Sequence, residues 1–220
     1  DIGKLAGKPV VAVITSMAQP LGTHIGNALE VKDAIDVLAG RTQGDLLEIS
    51  LLLGSHMLVL AEKAKTLPEA RAMLENALSS GAGLRKLAEM IAAQGGDPRV
   101  VEDLSLLPQA AVKRVMRAET AGYLSAMDTT ALGMAAQRMG AGRAKKSDML
   151  DYSVGYVLHV RLGDEVTEDT PLATLYARNE AEAEEAEKAI RKALTIAKEK
   201  PSVPPLWDAV VTAEGIIYNR

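Results

Sequence analysis

Residues 9–22 read Pro-Val-Val-Ala-Val-Ile-Thr-Ser-Met-Ala-Gln-Pro-Leu-Gly, and the rest of the chain is read outward from them. Val10 to Ile14 are β-branched at four of five positions, with only Ala12 interrupting. A short apolar run without alternation predicts a strand buried on both faces, as in a parallel sheet. Pro20 and Gly22 punctuate the loop that follows. Residues 27–38 then carry apolar side chains at 28, 29, 31, 34, 35, 37 and 38, which predicts a helix with one broad buried face, closed by Gly40. Strand, loop and helix are half of a βαβ unit. No second buried strand of that kind follows before residue 120. Instead the spacing predicts a long apolar helix over 45–65 and another from Thr66 to about Ser79. Thr66 is its expected N-cap, with Pro68 early in the helix and Glu69 at capping-box spacing. A further helix is expected over 84–94. One strand cannot bury two faces alone. Residues 1–107 are therefore expected to be the C-terminal part of a larger α/β domain. Its unpaired sheet edge at Val10–Ile14 would be covered by a partner chain, a second copy or a crystal neighbour. The competing reading is a lone core segment under a helical bundle.

The texture changes after Pro108. Residues 108–121 read as a polar connector containing Lys113, Arg114 and Arg117. Residues 122–127 predict a strand, 129–139 a helix, 153–160 a strand and 173–177 another. Leu162-Gly-Asp-Glu-Val-Thr-Glu-Asp-Thr-Pro-Leu172 has the form of a tight hairpin in a small barrel-sandwich domain. No Lys lies between Arg161 and Ala177, which argues against a lipoyl- or biotinyl-type swinging arm. Residues 180–198 predict an amphipathic helix with Ile190, Leu194 and Ile196 on its apolar side. Pro201, Pro204 and Pro205 open an extended tail over 199–220. The expected fold class is α/β plus α+β: the remainder of a mixed α/β domain, then a C-terminal barrel-sandwich-like α+β domain over 122–198.

Composition narrows the chemistry. The 220 residues carry a formal charge of −4, so no basic field favours nucleic acid or an anionic membrane. The absence of cysteine excludes disulfides, thiol nucleophiles and thiolate metal sites. His24, His56 and His159 are too scattered for a metal-ligand spacing. Without an evident acid–base partner, His24 reads as structural or exposed. His56 reads as a core or interface residue and His159 as solvent-facing. Gly140-Ala-Gly-Arg143 with Lys145 and Lys146 is suited to an anion, although a glycine turn with solvated basic residues explains it as well. Loop 17–26 matches neither nucleotide-binding glycine pattern. It fits a carbonyl-lined cation site with a carboxylate nearby, because hard cations take oxygen ligands.

Several motifs together carry a resemblance: Val11–Gly22, Gly26-Asn-Ala-Leu-Glu-Val-Lys32, Ala126-Met-Asp-Thr129 with Ala131-Leu-Gly-Met134, Gly140–Arg143, and Asp151-Tyr-Ser-Val-Gly155 with Arg161-Leu-Gly-Asp164. In order and along essentially the whole chain, these resemble the thymidine/pyrimidine-nucleoside phosphorylase family. The resemblance implies a C-terminal half of such an enzyme, and a cytoplasmic glycosyltransferase of pyrimidine metabolism and nucleoside salvage. Its substrates would be phosphate and a pyrimidine (deoxy)nucleoside, its products the free base and (deoxy)ribose 1-phosphate. The family's Lys-His-Ser segment and glycine-rich phosphate loop do not occur in this sequence, so no residue here is assigned a catalytic role and the chain alone is expected to be inactive. The resemblance also implies part of a potassium site: the carbonyls of Leu21 and His24 and the side chain of Asp33. His24 and Asp33 stand where Bacillus members have Ala and Glu. The implied partners are a second copy, as a homodimer, or the missing N-terminal half. Two other readings remain open: a stand-alone binding or scaffold module of the same fold, and a nucleoside-monophosphate phosphorylase.

Overall fold

The computed structural model describes residues 2–219. In chain order the elements are α1 (Ile2–Leu5), β1 (Ala12–Thr15), β2 (His24–Ile25), α2 (Asn27–Leu38), α3 (Asp45–Leu60), α4 (Leu67–Ser79), α5 (Ala82–Ala93), β3 (Val112–Arg117), β4 (Gly122–Met127), α6 (Thr129–Ala136), β5 (Gly155–Leu158), β6 (Glu165–Val166), β7 (Pro171–Ala177), α7 (Glu180–Ala193), β8 (Leu194–Ala197), β9 (Trp207–Val211) and β10 (Ile216–Tyr218). They divide into two units, and the boundary passes through α2. No helix among the described residues is long and apolar enough to cross a membrane.

The first unit takes residues 2–16, 36–94 and 204–219. Its helices α3, α4 and α5 pack in succession, and Val37, Leu47 and Leu51 are buried with Leu46, Leu74 and Leu78 against them. Thr66 caps α4 as expected: its side chain accepts from the Glu69 amide, and the Glu69 carboxylate reaches back to the Lys65 amide. The strand expectation needs correction. β1 is antiparallel to β9, in a sheet of order β1-β9-β10, and its burial alternates. It is not buried on both faces: Ile14 is 48% exposed. A β-branched run suits either kind of strand, and the partner decides which is formed. That partner comes from residues 199–220, which are not simply an extended tail but hold the β9–β10 pairing. β1 is the terminal strand of this sheet.

The second unit takes residues 17–35 and 95–203. It holds a four-stranded sheet of order β2-β5-β7-β3 and a three-stranded sheet of order β6-β4-β8. Every ladder recorded in either unit is antiparallel. The arrangement is α+β. The core is continuous through Met116, Leu124, Leu132, Tyr156, Leu175 and Ile190. Helix α7 lays a stripe of Ala183, Ala186, Ile190 and Ala193 into it. Acidic residues in its first turn and Arg191 and Lys192 in its last complement the helix dipole.

Three details differ from the sequence reading. Residues 108–121 are not only a connector, since they contain β3, whose Met116 is fully buried against β7. Helix α7 stops at Ala193, because Leu194–Ala197 pairs with β4 and that ladder replaces the helical hydrogen bonds. The expected hairpin over 162–172 does not pair with itself: β6 joins β4, while β7 joins β3 and β5. The two strands leave the turn into different sheets, with Asp169 at φ +69° in between.

Candidate functional site

The loop from Met17 to Thr23 lies between β1 and β2, and residues distant in sequence hold it at four places. The Thr129 hydroxyl donates to the Met17 carbonyl at 3.3 Å. The Leu162 amide donates to the Gln19 side-chain oxygen at 2.9 Å. Arg161 Nη1 donates to the Pro20 carbonyl at 2.7 Å, and Nη2 lies 3.5 Å from the Leu21 carbonyl. The Leu158 amide donates to the Thr23 carbonyl at 2.8 Å. Asp164 accepts from the Arg161 amide at 2.7 Å, which fixes the turn from which the guanidinium extends.

This last strand contact sets the direction of the next carbonyl. In the β2–β5 ladder His24 opposes Val157, one residue from the bonded Thr23–Leu158 pair. Bonded and non-bonded pairs alternate in an antiparallel ladder. The His24 carbonyl therefore points away from β5, at the outer side of the sheet's terminal strand. The imidazole turns to α2. His24 Nδ1 is 3.4 Å from Asp33 Oδ1 and 3.0 Å from the Thr23 hydroxyl. Asp33 is buried. The sequence reading gave His24 no acid–base partner, and the structure supplies one nine residues on, where α2 folds back beside β2. The three residues named for a cation, Leu21, His24 and Asp33, thus all belong to the second unit, and His24 and Asp33 touch through their side chains. The donors expected of them, two carbonyls and one carboxylate, are hard oxygens, the kind that hard cations take. Among the described residues no three His, Cys, Asp or Glu side chains gather as a metal cluster.

The other candidates are resolved more plainly. At Gly140–Arg143 the helix ends in a wide turn with Gly140 at φ +105°. The amides of Ala144 and Lys145 that would face an anion both donate to Asp148 Oδ2. The chain's own carboxylate answers that loop. His159 is exposed as expected, and its Nε2 lies 2.7 Å from the Thr174 hydroxyl. Partial burial of the ring beside Thr174, and then the nearby Lys113 charge, push its pKa below 6.5. His56 on α3 has its Nε2 buried with no hydrogen-bond partner among the described residues, and burial lowers its pKa as well. A cleft of about 370 Å³ opens beside α2, with Lys32, Lys113 and Tyr176 on its wall. The Lys113 ammonium sits 5.6 Å from the centre of the Tyr176 ring. Arg161 and Gln19 were not singled out individually by the sequence reading. The one available signal was a lone arginine heading a Gly-Asp turn.

Residues 123–197 match the family model for the pyrimidine nucleoside phosphorylase C-terminal domain. The chain is 48% identical over 180 residues to the pyrimidine-nucleoside phosphorylase of Geobacillus stearothermophilus, covering 82% of this chain and 42% of that protein. It is 49% identical over 179 residues to the Bacillus subtilis enzyme of the same name, covering 81% and 41%. It is 42% identical over 211 residues to that of Staphylococcus aureus strain USA300, covering 96% and 48%. The chain spans about half the length of the curated relatives it matches. The chain belongs to the pyrimidine-nucleoside phosphorylase family and carries that family's C-terminal domain.

Proposed function

We propose that this chain is the C-terminal part of an enzyme that phosphorolyses pyrimidine (deoxy)nucleosides, and that it is inactive by itself. The observation that carries the reading is the identity of 42–49% to pyrimidine-nucleoside phosphorylases over 81–96% of the chain. In the reaction phosphate bonds to C1′, the bond from C1′ to the base nitrogen breaks, and the pyrimidine leaves with the electron pair. That chemistry needs a cradle for phosphate and stabilisation of the charge on the leaving base. No Lys-His-Ser segment or glycine-rich phosphate loop is present in these residues to supply the cradle. What they supply is the loop 17–24 and the buried Asp33 behind it. The Leu21 and His24 carbonyls and the Asp33 carboxylate would hold a potassium ion, whose positive charge supports phosphate binding nearby. The separation of β6 and β7 into different sheets fits a barrel-sandwich-like end domain. A homodimer in the cytoplasm is the setting proposed for the whole enzyme.

Release of uracil from uridine and thymine from thymidine, with inorganic phosphate as co-substrate, tests this. The intact protein should release both base and sugar phosphate, and the isolated 220-residue chain neither. Turnover by the isolated chain overturns the fragment reading. No phosphate-dependent release by the intact protein overturns the phosphorylase reading.

A further inference from the structure

The loop that carries Leu21 and His24 is tied to the α+β domain at four places. Thr129, Leu158, Arg161 and Leu162 all reach it from residues 122–197. We infer that Arg161 is a positioning residue for this loop, and that the C-terminal domain acts as the template that sets its shape. The inference rests on the cation reading of Leu21 and His24 proposed above.

Residues 17–22 lie outside helix and strand, and Pro20 contributes no amide donor. Carbonyls that converge on a cation repel one another when the cation is absent. A guanidinium is suited to resist this, because its planar fork engages two acceptors from one rigid group. Arg161 spans the Pro20 and Leu21 carbonyls in this way, across 141 and 140 residues of sequence. Its own backbone is anchored: the Arg161 amide donates to Asp164, and the next amide, that of Leu162, holds Gln19. The Pro20 carbonyl takes the short bond at 2.7 Å, while the contact to the Leu21 carbonyl is long at 3.5 Å. The Leu21 contact is the looser arm of this clamp. The Arg161-Leu-Gly-Asp164 motif, which gave no catalytic group, has a role in this account.

The test is amide hydrogen exchange of the intact protein, comparing Arg161→Gln and Arg161→Lys with the unaltered sequence. Arg161→Gln should speed exchange over residues 21–25 roughly tenfold, as expected for losing a charge-assisted hydrogen bond, and leave β7 unchanged. Arg161→Lys should fall between, since an ammonium reaches one carbonyl but lacks the fork. A potassium-induced thermal shift is measured in the same samples, with lithium as control. Unchanged exchange over 21–25, or equal acceleration in β7, overturns the positioning role. A potassium effect missing from the unaltered protein overturns the cation reading, while faster loop exchange in the same samples still upholds the clamp. If Arg161→Gln does not fold, Gln19→Ala removes a separate tie and is judged by the same exchange pattern.

Discussion

Gly26 and Gly155 oppose one another beside the β2–β5 ladder so closely that neither leaves room for a β-carbon. A β-carbon on Gly26 would lie 2.4 Å from the Val154 carbonyl oxygen, and one on Gly155 would lie 2.1 Å from that of Ile25. Both residues also sit at positive φ, +136° and +148°. The contact joins the start of α2 to β5, and so fixes where His24 and Asp33 meet.

Gly26→Ala and Gly155→Ala should each destabilise the protein by about 2–4 kcal/mol, combining backbone strain with overpacking. The double variant should cost less than the sum, because one displacement relieves both clashes. Urea unfolding checks this. A loss under roughly 0.5 kcal/mol for either single variant would show that the ladder relaxes freely, against the rigidity expected of packed interiors.

Tyr156 is fully buried, and its hydroxyl donates to the Leu132 carbonyl at 2.8 Å. Burial pushes the phenol's pKa well above its usual range. Above about pH 10 the unfolded phenol gives up its proton while the folded one keeps it, so stability falls as pH rises. Tyr156→Phe should cost about 1 kcal/mol at pH 7 and lose less on going to pH 11 than the unaltered protein. Chemical denaturation at both pH values measures it. Equal losses in the two proteins would contradict the burial of an ionisable hydroxyl.

His56 and His159 both hold pKa values below 6.5, chiefly through burial. Below that pH the unfolded chain takes up protons that the folded chain resists. Stability should therefore decline from pH 7 toward pH 5. Proton NMR of the imidazoles should give titration midpoints under 6.5 for both. His159→Gln, which keeps a polar group beside Thr174, should reduce the acid loss. A His159 midpoint at or above 6.5 would reverse the sign and sink the account.

Thr66→Ala removes the acceptor for the Glu69 amide and should cost about 1 kcal/mol. Thr66→Ser keeps the oxygen and should stay within a few tenths of the unaltered stability. If the two variants unfold together in thermal scans, the cap contributes nothing.

Much of the local structure was legible. Residues 27–38 and 122–127 form the expected helix and strand to the residue, because their periodicity and flanking glycines are local signals. The Thr66 cap was readable for the same reason. β3 was not, since Lys113 and Arg114 stand side by side and disguise a strand that forms by pairing with the distant β7. The end of α7 was missed because Ile190, Leu194 and Ile196 suit a helical face as well as a strand. In the site, the loop over 17–24 was legible from Pro20 and Gly22, but the His24–Asp33 contact was not.

The amino-acid order alone placed most of the helices and the Thr66 cap, which rest on interactions between near neighbours, and it carried the family motifs. Only the tertiary structure decided that Ala12–Thr15 pairs with Trp207–Val211, and that Arg161 grips Pro20. Backbone amides and carbonyls are the same at every residue, so a bond between distant segments leaves no mark on either. Its choice emerges when the whole core packs.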